Sequence, residues 1–162
     1  MTHDALTSLL LDALDICDAA EAVEVDAAAS WLVIYDAETA LGLDHVAETG
    51  RLVLSADIGE APEHAPADLL RLLLVYNSAW RETGGMRAAV DADDVVSLVL
   101  DVPFDGLDAS ALAARLDNFT DATRAWRSRL RDAAETRGAA APERDASAAP
   151  LAPDPVVGAL RV

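Results

Sequence analysis

Histidine is the side chain best suited to proton transfer and metal ligation near neutral pH, and the chain carries three: His3, His45 and His64. No two share the short spacing that brings imidazoles onto one metal ion, so they read as surface or structural residues and no metal is expected. The run Asp91, Asp93, Asp94 has the alternating carboxylates that open a calcium loop. The rest of the loop is missing, because Val96 stands where the sharp-turn glycine belongs and Val102 where the bidentate glutamate belongs. A solvated hairpin turn is the better reading. Ser8, Ser30, Ser55, Ser78, Ser97 and Ser110 lack the strained elbow that exposes a nucleophile. Gly84-Gly85 matches neither a phosphate-binding loop nor a dinucleotide fingerprint. Asp36, Asp57 and Asp101 are acids that a small enzyme could use, yet none has a matching base and nucleophile beside it. Asn118-Phe119-Thr120 is a glycosylation sequon by pattern alone, falling in the middle of a helix. The residue types therefore predict no enzyme and no cofactor.

The elements that would position these residues are clearer than the chemistry. Leu6, Leu9, Leu10, Ala13, Leu14 and Cys17 recur at helical spacing over residues 4 to 20, with Thr2 as a cap and Asp4 at the positive end. Residues 30 to 36, SWLVIYD, suit a strand buried on both faces. Residues 39 to 46 form a weaker strand with Leu41 and Leu43 on one side. After a turn at Glu48-Thr49-Gly50, residues 51 to 58 alternate, placing Leu52, Leu54, Ala56 and Ile58 on one face. A second helix opens near Pro66 and Asp68 and stops at Gly84. Leu69, Leu73, Tyr76 and Trp80 make one stripe of it, and Leu70 and Leu74 a second. A helix that apolar needs cover on both sides. The second cover could come from another subunit, or from a third layer of the same chain. Met86, Ala88 and Val90 pair with Val96, Leu98, Leu100 and Val102 as a hairpin closed by Pro103. Asp108 then caps a helix striped by Leu112, Leu116, Phe119, Thr123, Trp126 and Leu130.

The predicted fold is thus α+β, a small two-layer domain in the order α-β-β-β-α-β-β-α with a mainly antiparallel twisted sheet, spanning residues 1–136. Residues 137–162 hold four of the seven prolines among alanines and read as a disordered tail.

Composition narrows the partners. The net charge is −17, every basic residue is Arg, and residues 1 to 50 contain eleven acids and no Arg. Such a body repels phosphate backbones and anionic membranes, so nucleic acid and membrane are excluded as partners. It favours solubility and steers basic partners. Cys17 is the sole cysteine, so no intrachain disulfide forms; on the apolar stripe it reads as a small core residue, with oxidation sensing as the lesser alternative. The N-terminus has acids where a signal peptide has cations, and no apolar run is long enough to span a bilayer. A cytoplasmic protein is expected.

A succession of segments carries a family likeness: LTSLLLDAL, WLVIYDAETALGLDH, RLVLSADIGEAP, ADLLRLLLVYNSAW ending in TGG, the strand pair, and VPFDGLDASALAARLDNFTDATRAWRSRL. Over about residues 5 to 131 the chain resembles the class I type III secretion chaperones of the Tir-chaperone (CesT-like) family. The resemblance implies a homodimer in the bacterial cytoplasm, built mostly on the middle helix and the late hairpin. It also implies that the N-terminal segment of a secreted effector wraps the dimer in extended form and is kept export-competent without nucleotide hydrolysis. Candidate effector-binding residues are Leu6, Leu10, Trp31, Val33, Tyr35 and Val53. Candidate dimer residues are Leu70, Leu74, Asn77, Met86, Val95, Ser97 and Val99. The alternative is a non-catalytic regulatory adaptor of related fold with no secretion client.

Overall fold

The computed structural model describes residues 3–17, 21–26, 29–61 and 67–140. Thr2, Pro66, His64 and the Asp68 side chain, to which the sequence gives roles, lie outside the described residues, as does the predicted tail from residue 141. The elements run α1 (His3–Cys17), β1 (Glu21–Asp26), β2 (Ser30–Ile34), β3 (Ala40–Val46), β4 (Arg51–Glu60), α2 (Ala67–Ser78), β5 (Arg87–Val90), β6 (Val95–Pro103) and α3 (Ala109–Ala140). The architecture is α+β, as the sequence predicts, with one strand more. Residues 21–26, EAVEVD, form β1, an edge strand whose alternation is masked by acids on both sides. Helix α3 runs on through Ala140, past the domain boundary expected at residue 136.

Six strands make one antiparallel sheet in the order β1-β2-β3-β4-β6-β5. Alternation sends Trp31 and Val33, Leu41 and Leu43, Leu52 to Ile58, and Val96 to Val102 to one face, where all are buried. Helices α1 and α3 close over that face. Leu112, Leu116, Phe119, Thr123, Trp126 and Leu130 supply the α3 stripe, each at 5% exposure or less. Thr123 fits the apolar stripe because its hydroxyl donates to the Phe119 carbonyl at 2.8 Å. Trp126 also holds α2, meeting the Tyr76 ring edge-on at 5.1 Å.

The local punctuation follows its chemistry. Asp108 caps α3 through its carboxylate, which accepts from the Ala111 amide at 2.8 Å. The expected Gly84 stop lies further along the chain than the helix end. Helix α2 closes at Ser78, and a turn carries the chain to Gly84 and Gly85, whose φ values of 67° and 95° disfavour any side chain. The Asp91–Asp94 run is a turn and uses its acid internally: the Asp91 carboxylate accepts from the amides of Asp93 and Val95, both at 2.9 Å. Asp91→Ala should therefore cost ~1 kcal/mol in urea unfolding, whereas Asp93→Asn should fall within ~0.5 kcal/mol of the parent. Equal losses for the two would remove the turn assignment.

Candidate partner-binding surfaces

Helix α2 presents a greasy outer side. Leu69 and Leu73 face the core at 6% and 5% exposure, while Leu70 and Leu74 point away at 44% and 69%. Leu72, Val75, Trp80 and Val90 are also exposed large apolar residues, and sequence spacing singled out none of them as surface. Trp80 was expected on the buried stripe. Because α2 ends at Ser78, Trp80 leaves that stripe and lies in the open with the Arg81 guanidinium 4.9 Å above its ring.

Two residues grouped with this surface turn inward instead. The Asn77 carboxamide donates to the Ala88 carbonyl at 2.9 Å and accepts from the Ala88 amide at 2.7 Å. That pair of bonds pins α2 across the outer edge of β5. Met86 is 8% exposed and its sulfur accepts from the Tyr76 hydroxyl at 3.6 Å, so it belongs to the core.

The second surface is the sheet face away from the helices. Register places Val23, Leu32, Gly42, Ser55 and Val99 side by side in one row across five strands. Val53, Val95 and Ser97 share this face and are half-buried, so residues expected at two separate interfaces lie on one. The Ser97 hydroxyl is engaged by Asp57 at 2.8 Å. A trough of about 550 Å³ opens along Leu32, Ile34, Ala40 and Ser55. Gly42 forms part of it, and a Cβ there would lie 2.7 Å from the Ser55 hydroxyl oxygen, so a larger residue would force the Ser55 side chain to turn. The sequence predicts strand β2, within residues 30 to 36, to be buried on both faces. In the fold the helices cover one face alone, which leaves Leu32 at 37% exposure and Ile34 half-buried.

That one-sided cover also relocates the predicted groove. Leu6, Leu10, Trp31 and Val33 are at 2%, 1%, 3% and 0% exposure, enclosed between helix and sheet where a partner cannot reach them. Tyr35 and Val53 remain partly accessible. The accessible apolar groups of the same region are Val23 and Val25 of β1, at 44% and 65%, Leu32, and Leu11 and Ile16 on the outer side of α1, at 55% each. The signal for Val23 and Val25 was a period of two within EAVEVD, too short to stand out.

The two edges of the sheet differ. On β5 the amide and carbonyl of Ala88 are occupied by Asn77. Strand β1, at the opposite edge, pairs with β2.

Groups that could have done chemistry are held apart. Asp36 bonds Arg124 at 2.6 Å, Asp57 accepts from Ser97, and Asp101 pairs with Arg51. The Arg124 guanidinium, helped by the Glu38 amide, draws the Asp36 carboxyl down to about 2. His45 packs against Phe104 with ring centroids 5.6 Å apart. Among the described residues, no three His, Cys, Asp or Glu side chains gather to hold a metal ion, and no helix is long and apolar enough to cross a membrane.

The fold recurs in solved structures. The chain is similar to one in the ExsC–ExsE complex, with a TM-score of 0.66 and 20% identity, covering 79% of this chain and 95% of that one. It is similar to one in the HopA1–SchA chaperone–effector complex, with a TM-score of 0.63 and 20% identity over 78% of this chain and 95% of that one. A third is the type III secretion chaperone SycH of Yersinia pestis, solved with a stable fragment of YscM2; its TM-score is 0.59 at 22% identity, over 77% and 99% of the two chains. No curated protein matches this sequence. The model of the Tir chaperone protein (CesT) family matches residues 19–127, from β1 to the middle of α3, and the chain belongs to that family.

Proposed function

We propose that this protein is a homodimeric cytoplasmic chaperone of a bacterial type III secretion system. It binds the N-terminal segment of a secreted effector in extended form and keeps it competent for export. The reading includes no nucleotide hydrolysis and no catalysis of any kind. The observation that carries it is apolar surface left uncovered in two separate places, along α2 and on the β1 side of the sheet. Monomeric proteins rarely leave such patches without a partner. The α2 patch suits a second copy, because a two-fold interface presents the same surface to itself. The β1 side suits a client, since an extended segment can add to a sheet edge while its alternate side chains enter pockets on the face. Asn77 supports this polarity by closing the β5 edge, a common device against unwanted strand addition.

The test is capture of the tagged chain from its native bacterium under secretion-inducing conditions, with mass spectrometry of what co-elutes. The expected partner is a secreted protein that no longer binds once its N-terminal segment is deleted. Recovery of housekeeping proteins alone would end the chaperone reading. With that partner in hand, Leu32→Asp should weaken binding of its N-terminal fragment by about tenfold or more in calorimetry while leaving the melting temperature unchanged, because Leu32 is already 37% exposed. An undiminished affinity would remove the open sheet face from the client's path.

A further inference from the structure

The turn that follows α2 carries two features of opposite shape. Trp80 stands out from it at 47% exposure, whereas Trp31 and Trp126 are at 3% and 2%. A few residues further on, the same turn walls a cleft of about 490 Å³ between itself and α3. Leu100 and Met86, both buried, and the half-buried Tyr76 supply its apolar lining. Ala114 and Ala122 keep the α3 wall low, since neither has a side chain beyond Cβ. Glu82 and Asn118, both exposed, add a carboxylate and a carboxamide. Trp80 is not among the described residues that line the cleft of its own chain.

The exposed ring and the cleft are chemically matched. An indole is a large apolar surface with one N–H donor and no acceptor. The cleft offers an apolar floor, a thioether of the kind that favours aromatic contact, and oxygen acceptors at Glu82 and Asn118. The neighbouring charges are self-complementary as well. Arg81, whose guanidinium lies 4.9 Å above the Trp80 ring, would travel with that ring and arrive beside Glu82. Trp80 also follows directly on the helix whose exposed Leu70 and Leu74 are assigned to the two-fold contact. In such a contact, whatever residue i does to residue j is repeated from j to i. A ring and a cleft on one turn can therefore both be satisfied in a single reciprocal exchange.

We propose that Trp80 of each copy inserts into the cleft between the turn and α3 of the other copy, an inference that rests on the homodimer reading above. A buried aromatic anchor seated in a partner's pocket is where binding energy concentrates in protein interfaces. The insertion would fix the angle at which the two α2 helices meet, which a flat apolar patch leaves loose.

Trp80 is the exposed one of three tryptophans, so acrylamide quenching of the full-length chain reads its surroundings directly. Its accessibility should fall as the protein is concentrated through the monomer–dimer range, in step with the mass from sedimentation. Trp80→Ala should weaken dimerisation by about 100-fold or more. Ala114→Leu, which crowds the cleft, should weaken it by about tenfold or more. In the monomeric Leu74→Asp background neither substitution should lower the melting temperature, because both sites are exposed. Mixing the two single variants gives the decisive measurement. Each variant homodimer keeps no insertion, but a mixed dimer keeps one, with Trp80 of the Ala114→Leu copy entering the unaltered cleft of the Trp80→Ala copy. Mixed dimers should therefore exceed what random pairing gives by severalfold in native mass spectrometry. Random pairing, or a parent dimer in which Trp80 stays open to acrylamide, would overturn the insertion while leaving the homodimer standing. The second of these results would assign the cleft to a side chain of the client. A parent that is monomeric at every concentration would overturn the homodimer reading and the insertion together.

Discussion

Leu74→Asp should give a folded protein that stays monomeric at concentrations where the parent is a dimer. Leu74 is the most exposed large apolar residue on α2, at 69%, so a carboxylate there costs the isolated chain little. In a two-fold interface the same change is felt twice. Truncating or charging a central apolar contact costs about 2 kcal/mol or more per copy. Two copies give about 4 kcal/mol, or roughly a 1,000-fold loss in dimer affinity. Light scattering and sedimentation should report the 17.0 kDa chain mass for the variant and twice that for the parent. A parent that is monomeric at every concentration would defeat the α2 interface, as would a variant that still dimerises. Asn77→Ala makes an informative companion. Its effect should appear in stability, because Asn77 satisfies the Ala88 backbone groups within the chain.

Trp126→Ala should destabilise the fold by about 3–5 kcal/mol, the usual range for deleting a buried indole. The residue is 2% exposed and touches more than one layer. Its ring receives the Tyr76 edge at 5.1 Å and lies under the Arg129 guanidinium at 5.3 Å, so its loss both opens a cavity and unseats α2. Since α2 carries the proposed dimer surface, the variant should lose dimerisation along with stability. Urea unfolding followed by circular dichroism avoids the confusion of removing one of three tryptophans from the fluorescence signal. Trp80→Ala is the control. At 47% exposure it should leave chain stability within ~0.5 kcal/mol of the parent. Comparable losses for the two would mean that α3 does not anchor α2 through Trp126.

Much of the fold was legible in the sequence where a period repeated for long enough. The 3.6-residue stripe from Leu112 to Leu130 and the alternation from Leu52 to Ile58 both marked buried faces, and both are buried. Asp108 as a cap and Asp91–Asp94 as a turn followed from side-chain chemistry that acts within four residues. Strand β1 escaped because six residues with acids at every second or third place give a period too short to stand out. The candidate site was less legible. Leu6, Leu10, Trp31 and Val33 look like contact residues by type, and the chain itself buries them.

The amino-acid order alone determined the class of fold and the family likeness, because local periodicity, capping and residue type are properties of neighbours along the chain. Which side of each element remains uncovered was decided only by tertiary packing. Helices close over one sheet face and not the other, and Asn77 engages the Ala88 backbone at the β5 edge. Each of those outcomes depends on contacts between residues far apart in sequence, which no window along the chain encodes.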